Sequence, residues 1–418
     1  MKTILTGIAL AALAAPLAAS STGKADHAGL TVDHVVLVMR HGVRPPTKNP
    51  AMPVGTASGD WPQWPVNPGW LTPHGAEAIG GLGLSDARAF REQGLLPQDG
   101  CPAPDTVRVV ADSDQRTIAT AEAWLAALAP HCGLTAEHRP QDEQDPLFSP
   151  IEAGNTAWNP AKADSAVSLA AGVLANAPGG LSALDARERA LAIRLDRVLC
   201  GTDNASAEST CGISGTPSSF KPATPTTRPK LSGMLDTAST AAQVLLLEYA
   251  EGKPMDQVGW GRATPADIAA FSRFHALEFQ LLARPRPIAA ANFSHLARIV
   301  TQGLSGPARI TMISGHDTNV ANLGGLLNVH WQIPGFAMDD PAPGGAIVIE
   351  ALHDRTGRNF VRVSYRAQPL DAIRSGGTHT TDDVRRIPLS PEGCAVPGHR
   401  GLCTPAQFAR LMDTSVSP

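Results

Sequence analysis

The sequence predicts an α/β protein: a mixed, mainly parallel sheet flanked by helices, with a mostly helical domain inserted into it. Three observations carry this. Apolar runs of strand length recur at HVVLVM (34–39), VRVVAD (107–112) and ARITMIS (308–314), and the last two lead straight into helical patterns. Between about 157 and 290 strand patterns are scarce and helical ones dominate. Near the C-terminus AIVIEAL and FVRVSYRA flank HDRTGR as the arms of a hairpin would. A chain of 418 residues exceeds what one ordinary core takes, so the expected division is 27–156 with 291–418 for the α/β part and 157–290 for the insertion.

The chain opens with Lys2, a short apolar run ILTGIALAALAA and the small residues PLAASST. This is the pattern of a secretory leader over 1–20, and the run is too short to span a bilayer well. The first strand follows, then helical periodicity over 75–93, broken by Gly80, Gly81 and Gly83. Those glycines fall short of a dinucleotide fingerprint, because no strand precedes them. RTIATAEAWLAALA (116–129) reads as a helix after the second strand. In the middle, LDARERALAIRLDRVL, MLDTASTAAQVLLLEYAEG and TPADIAAFSRFHALEFQLLAR read as helices, the last with Thr264 as N-cap and Pro265 at its first position. Between them GTPSSFKPATPTTRPKLSG is rich in Pro, Ser and Thr and is expected to be an exposed loop.

With 17% charged residues and a net charge of -4, no basic excess points to nucleic acid, and no charge run suggests an interaction tail. Six cysteines in an exported chain suggest disulfides, and 15 pairings are possible. The simplest joins local couples: Cys101 with Cys132, Cys200 with Cys211, and Cys394 with Cys403. No Cys-x-x-Cys occurs and no histidines cluster near these positions, which argues against a zinc site.

The strands end unusually. The first runs into Arg40-His41-Gly42-Val43-Arg44, the second into Asp112-Ser113-Asp114-Gln115-Arg116, the third into Gly315-His316-Asp317. Open α/β sheets bind ligands beyond the carboxyl ends of their strands. If the three strands are parallel neighbours, Arg40, Arg44, Arg116 and His316 meet at one spot. Buried cations need an anion, and guanidinium forks match phosphate oxygens. His41 between the arginines is a potential nucleophile toward phosphorus, kept neutral by the surrounding positive charge. Asp317 can give a proton to a departing alkoxide. Gly42 lets backbone approach closely. His34, His74, His131 and His275 read as structural or exposed, and Trp61, Trp64 and Trp70 as packing residues.

Arg40-His41-Gly42-Val43-Arg44-Pro45-Pro46 resembles the Arg-His-Gly-x-Arg-x-Pro signature of the histidine acid phosphatases, and His316-Asp317 resembles their distal His-Asp pair. RHGVRPPTK, WPVNPGWLTPHG, VADSDQRT, GWGR, GHDTNVANLGG and PGGAIVIE are similar to the bacterial periplasmic phytases and their relatives within that family. The resemblance implies an α/β domain and a helical domain with the active site between them. It implies that His41 becomes phosphorylated, that Arg40, Arg44, Arg116 and His316 hold the phosphate, and that Asp317 is the proton donor. Thr47 and Lys48 would contact further phosphates of inositol hexakisphosphate. No cofactor or metal is implied. The expected protein is a periplasmic or secreted monomer acting on a small phosphate monoester, with no nucleic-acid or membrane partner. Phytate is the expected substrate; Gly42 and Thr318-Asn319 favour it over the sugar phosphates of glucose-1-phosphatase-like or broad-specificity relatives. A non-catalytic phosphate binder would not need His41 and Asp317, and a mutase-like transferase would not need the leader and the insertion. Thr156 stands where the phytases carry one cysteine of a further long-range disulfide.

Overall fold

The computed structural model describes residues 29–154, 156–201, 211–376 and 383–414. The expected leader, 1–20, lies outside the described residues. Strand β1 (Leu30–Arg40) leads to α1 (Pro73–Glu92), β2 (Val107–Ala111) and α2 (Gln115–Leu128). A helical stretch follows: α3 (Pro160–Ala175), α4 (Leu181–Cys200), the short strands β3 (Ser219–Lys221) and β4 (Lys230–Ser232), α5 (Met234–Ala250), α6 (Pro265–Leu282), α7 (Arg286–Asn292) and α8 (Ser294–Gly303). Then come β5 (Ile310–Gly315), α9 (Asp317–Leu327), β6 (Ala346–Asp354), β7 (Asn359–Ala367), α10 (Leu370–Arg374), β8 (Arg385–Leu389), β9 (Leu402–Cys403) and α11 (Pro405–Leu411).

The main sheet runs β2-β5-β1-β6-β7-β8, with β9 also on β7. It is mixed. Its parallel pairings are β2 with β5 and β5 with β1; from β6 onward the strands are antiparallel. Parallel character is therefore confined to the three strands whose ends carry the charged motifs, and antiparallel pairs make up the rest. Both faces of the sheet are covered, which is why β1 reads as an unbroken apolar run rather than an alternation. Val35, Leu37 and Met39 pack with Ile79 and Leu82 of α1 and Trp124 of α2. Val36 and Val38 face the other way, into a core shared with α5, α6 and α9.

The glycines that interrupt the pattern of α1 do not break it. A Cβ on Gly83 would lie 2.7 Å from the Trp124 carbonyl, so this glycine lets α1 and α2 approach closely. Helix α6 starts as expected, with Thr264 and Asp267 exchanging side-chain and backbone hydrogen bonds. The Pro/Ser/Thr-rich segment departs from expectation: part of it folds as the β3–β4 hairpin, with Phe220 opposite Leu231. Leu231 is buried and Phe220 half-buried against the helical core, and that apolar pair outweighs the loop-like composition around it. Trp61 packs against Trp260 at 4.8 Å, and Trp64 lies under Lys253 at 4.5 Å. Trp70 is 38% exposed and is not a core residue, contrary to expectation, because it sits in the turn before α1.

Disulfides join Cys101 to Cys132, Cys200 to Cys211 and Cys394 to Cys403. Thr156 bonds instead to Ala291 O and Ser294 Oγ, each at 3.2 Å. Among the described residues no helix is long and apolar enough to cross a membrane. The disulfides fit an exported chain.

Candidate active site

Register brings the three charged strand ends level. Arg40 lies opposite Gly315, and Ala111 opposite Ser314. His41 N and Asp112 N then donate to Gly315 O and Ser314 O, at 2.9 and 3.0 Å. Helices α2 and α9 begin at these ends, so their N-terminal N–H groups and dipoles favour an anion in the crevice. Gly42 serves a close approach, but to protein. A Cβ there would come within 2.8 Å of Leu71 and 2.9 Å of Ile79, and one on Gly75 within 2.4 Å of Val43 O. Two glycines thus seat the start of α1 against the first motif.

His41 is buried at 1% exposure. Its Nδ1 lies 2.8 Å from Gly42 O, which can only accept, so Nδ1 carries the hydrogen. In the neutral ring the lone pair is then on Nε2. Burial lowers the pKa of this imidazole well below the ordinary value, and Arg116, Arg44, Arg40 and His316 lower it further. Both effects favour the neutral ring, the form with a lone pair on Nε2. Its carbonyl accepts from Gly344 N at 3.1 Å. Gly344 O in turn accepts from Arg366, which forms a fully buried ion pair with Asp86 at 2.7 Å.

Around His41 a cavity of about 350 Å³ is lined by Arg44, Arg116, His316, Asp317 and Asn319, with Asp112 and Asp114 behind them. The His41 and His316 rings stand 5.7 Å apart, nearly perpendicular. Nε of Arg40, Arg44 and Arg116 is buried without a hydrogen-bond partner. Burial foremost, then the neighbouring Arg116 and Arg40, lowers the Arg44 guanidinium to about 9 against the opposing pull of Asp317 and Asp114. Arg116 also pairs with Asp114 at 2.6 Å. His316 Nε2 is held by Asp112 at 2.7 Å and lies 3.3 Å from Asp114, while its Nδ1 is 3.5 Å from Arg116. Burial pulls the His316 pKa down, but its bonds to Asp112 and Asp114 outweigh that, and the net shift is upward. Asp112, Asp114 and His316 are also the group, among the described residues, whose ligand atoms could meet on a metal ion; here the imidazole already bonds to the carboxylates.

Removing the Asp112 charge tests this balance. In Asp112→Asn the His316 ring loses its nearest carboxylate charge, so its pKa is expected to fall. A histidine NMR titration against the native protein checks it, and an unmoved His316 resonance would refute the assignment.

Asp317 and Arg40 form a pair. Arg40 Nη2 is 3.1 Å from Asp317 Oδ2, and the same guanidinium donates to Gln243 and Pro341 O. Arg40 is thus engaged by protein partners, one of them the Asp317 carboxylate that lines the cavity around His41. Burial pushes the Asp317 pKa up, but Arg40, His275, His41 and His316 outweigh this and hold it well below the usual carboxylate range. Thr47 and Lys48 are not beside His41. They line a second cavity of about 820 Å³, together with Gln243, Asp236, Glu278 and His275. Arg44 borders both.

Three residues that sequence reasoning passed over, and one that it read as structural or exposed, belong here. Gln243 and Asp340 hold Arg40 and His275. His275, expected to be structural, sits 3.8 Å from Asp317. Arg228 lies between β3 and β4, in the segment read as an exposed loop. It lines the His41 cavity and a third one of about 450 Å³ with Lys230, and it pairs with Glu152 at 2.9 Å. Only Arg228 had a sequence signal, as a cation within a Pro/Thr-rich segment.

An imidazole among guanidinium groups, with a carboxyl group beside it at the ends of parallel strands, is an arrangement suited to phosphoryl transfer. The chain belongs to the histidine phosphatase superfamily, branch 2, whose family model matches residues 31–178 and 286–366. It is a histidine acid phosphatase, a hydrolase of phosphate monoesters. Phytase AppA of Escherichia coli K12 is 32% identical over 100% of this chain and 99% of its own. The glucose-1-phosphatase of Salmonella typhimurium is 26% identical over 99% of this chain and 100% of its own. The apo structure of Hafnia alvei phytase superposes with a TM-score of 0.85 at 33% identity, covering 94% of this chain and 98% of the other.

Proposed function

We propose that this chain is an exported, monomeric acid phosphatase that hydrolyses phytate. His41 Nε2 attacks the phosphorus atom, Arg44, Arg116 and His316 hold the phosphate oxygens, and Asp317 protonates the leaving oxygen. Arg40 aligns Asp317 and reaches the phosphate once substrate draws the pair apart. Water then hydrolyses the phosphohistidine, with Asp317 as base. Residues 157–290 form the inserted domain that walls the cleft. The observation that carries the chemistry is the free Nε2 of a buried, neutral His41 ringed by cations.

What favours phytate is the number of cations beyond those one phosphate needs. Lys48 borders the second cavity, and Arg228 and Lys230 border the third. Of the acidic groups facing them, Asp236 and Glu278 have pKa values raised mainly by burial, so acid pH strips negative charge from the cleft. A highly anionic substrate gains most from that. Glucose-1-phosphatase activity is the second reading, supported by the relative named above.

The test is a substrate panel at acid pH, comparing phytate, glucose 1-phosphate and p-nitrophenyl phosphate. Lys48→Ala and Arg228→Ala are each expected to raise KM for phytate at least fivefold more than for p-nitrophenyl phosphate, on the order of 1 kcal/mol per lost contact. A wild-type preference for glucose 1-phosphate, or equal effects of both changes on both substrates, would remove phytate from the assignment.

A further inference from the structure

His275 lies on α6, outside every motif of the family signature, yet both its ring nitrogens face carboxylates. Nδ1 is 2.7 Å from Asp340 Oδ1, and Nε2 is 3.8 Å from Asp317 Oδ2. The ring is 7% exposed, and its edge meets Phe279 at 4.4 Å. Asp340 is 1% exposed, and its Oδ2 has no hydrogen-bond partner. A buried carboxylate with an imidazole as its side-chain partner orients that ring and fixes which nitrogen faces Asp317. His275 also lines the 820 Å³ cavity, so its proton can exchange with solvent. The charged and titratable groups around it are Asp340, Asp317 and Glu278, with Arg40 reaching it through Asp317.

We propose that His275, oriented by Asp340, is a positioning residue that stores the proton Asp317 uses. The inference rests on Asp317 being the proton donor. In the free enzyme Arg40 holds Asp317 Oδ2 as a carboxylate. A bound phosphate competes for Arg40 and brings negative charge near Asp317. Freed from Arg40, Asp317 Oδ2 closes the 3.8 Å gap to hydrogen-bond distance, the His275 Nε2–H bond breaks and an Asp317 Oδ2–H bond forms, leaving a neutral His275 whose Nδ1–H stays on Asp340. Asp317 gives that proton to the leaving oxygen as the P–O bond breaks and the bond from phosphorus to His41 Nε2 forms. In the second half Asp317 takes a proton from the attacking water and returns it to His275. Protons balance over the cycle, and no outside acid is consumed.

The experiment measures kcat against pH for glycerol 2-phosphate, an alkyl ester, and for p-nitrophenyl phosphate. His275→Gln is expected to lower kcat for the alkyl ester at least tenfold more than for the aryl ester, with KM for both within threefold. Asp340→Asn keeps an acceptor on Nδ1 but removes the charge that favours imidazolium. It is expected to move the alkaline limb of kcat to lower pH by about one unit. Equal slowing of the two esters by His275→Gln, or an unmoved limb in Asp340→Asn, overturns the proposal. Should His275→Gln fail to fold, the Asp340→Asn limb alone decides. Asp317→Asn is measured alongside: if it too slows both esters equally, the fault lies with the proton-donor reading; if it discriminates and His275→Gln does not, only the reservoir fails.

Discussion

An alanine in place of His41 is expected to lower turnover of p-nitrophenyl phosphate by on the order of 10⁴-fold or more, with the fold intact. Phosphate monoesters hydrolyse extremely slowly unaided. Arg44, Arg116 and His316 can neutralise the phosphate, but none can form the intermediate, so the variant is left with direct attack by water. Structure should survive because, among the described residues, the imidazole hydrogen bonds only to its neighbour Gly42. The backbone of residue 41 is fixed independently, through Gly315 O and Gly344 N. The cost of the small cavity is about 1–3 kcal/mol, visible as a modest fall in Tm. Inorganic phosphate should still bind by calorimetry, since the cations remain. Rapid denaturing quench with labelled substrate should trap a phosphoprotein from the native chain and none from the variant. Turnover at the native rate, or a trapped phosphoprotein from His41→Ala, would place the nucleophile elsewhere.

Much of this site was legible because it lies where local patterns change abruptly. Val35–Met39 reads as a strand covered on both faces, and Arg40-His41 directly after it reads as a strand end whose cations call for an anion. The same logic located Arg116 and His316-Asp317. What the pattern could not tell is how side chains divide around a strand end. Arg40 and His41 are adjacent, yet Arg40 is taken up by Gln243 and Asp317 while His41 lines the cavity directly. Arg228 was hidden for another reason. Its hairpin is held by one apolar pair, Phe220 and Leu231, within a segment whose composition says loop. His275 fits the buried stripe of an ordinary amphipathic helix, and its partner Asp340 is 65 residues away. Sequence periodicity reports burial, whereas a buried imidazole between two carboxylates is a tertiary fact.

Asp317→Asn is expected to slow alkyl phosphates by about 10²–10³-fold and p-nitrophenyl phosphate by less than tenfold. The nitrophenolate leaves without help, whereas an alkoxide is nearly as basic as hydroxide and needs a proton as the P–O bond breaks. Asparagine keeps the shape of the side chain and can still accept from Arg40, but it carries no transferable proton. Affinity should not suffer. The Arg40–Asp317 pair spends a guanidinium on a carboxylate at 3.1 Å, and neutralising that partner leaves Arg40 more available to phosphate, so KM is expected to hold or fall. The low pKa of Asp317 in the free enzyme sharpens the prediction. A group held ionised without substrate acts as an acid only if the bound phosphate raises its proton affinity, as a nearby like charge does. The native kcat profile for an alkyl ester should then lose activity toward high pH, and this limb should be absent from Asp317→Asn. Loss of both esters to the same extent, with the limb retained, would mean that the carboxylate serves only to hold Arg40.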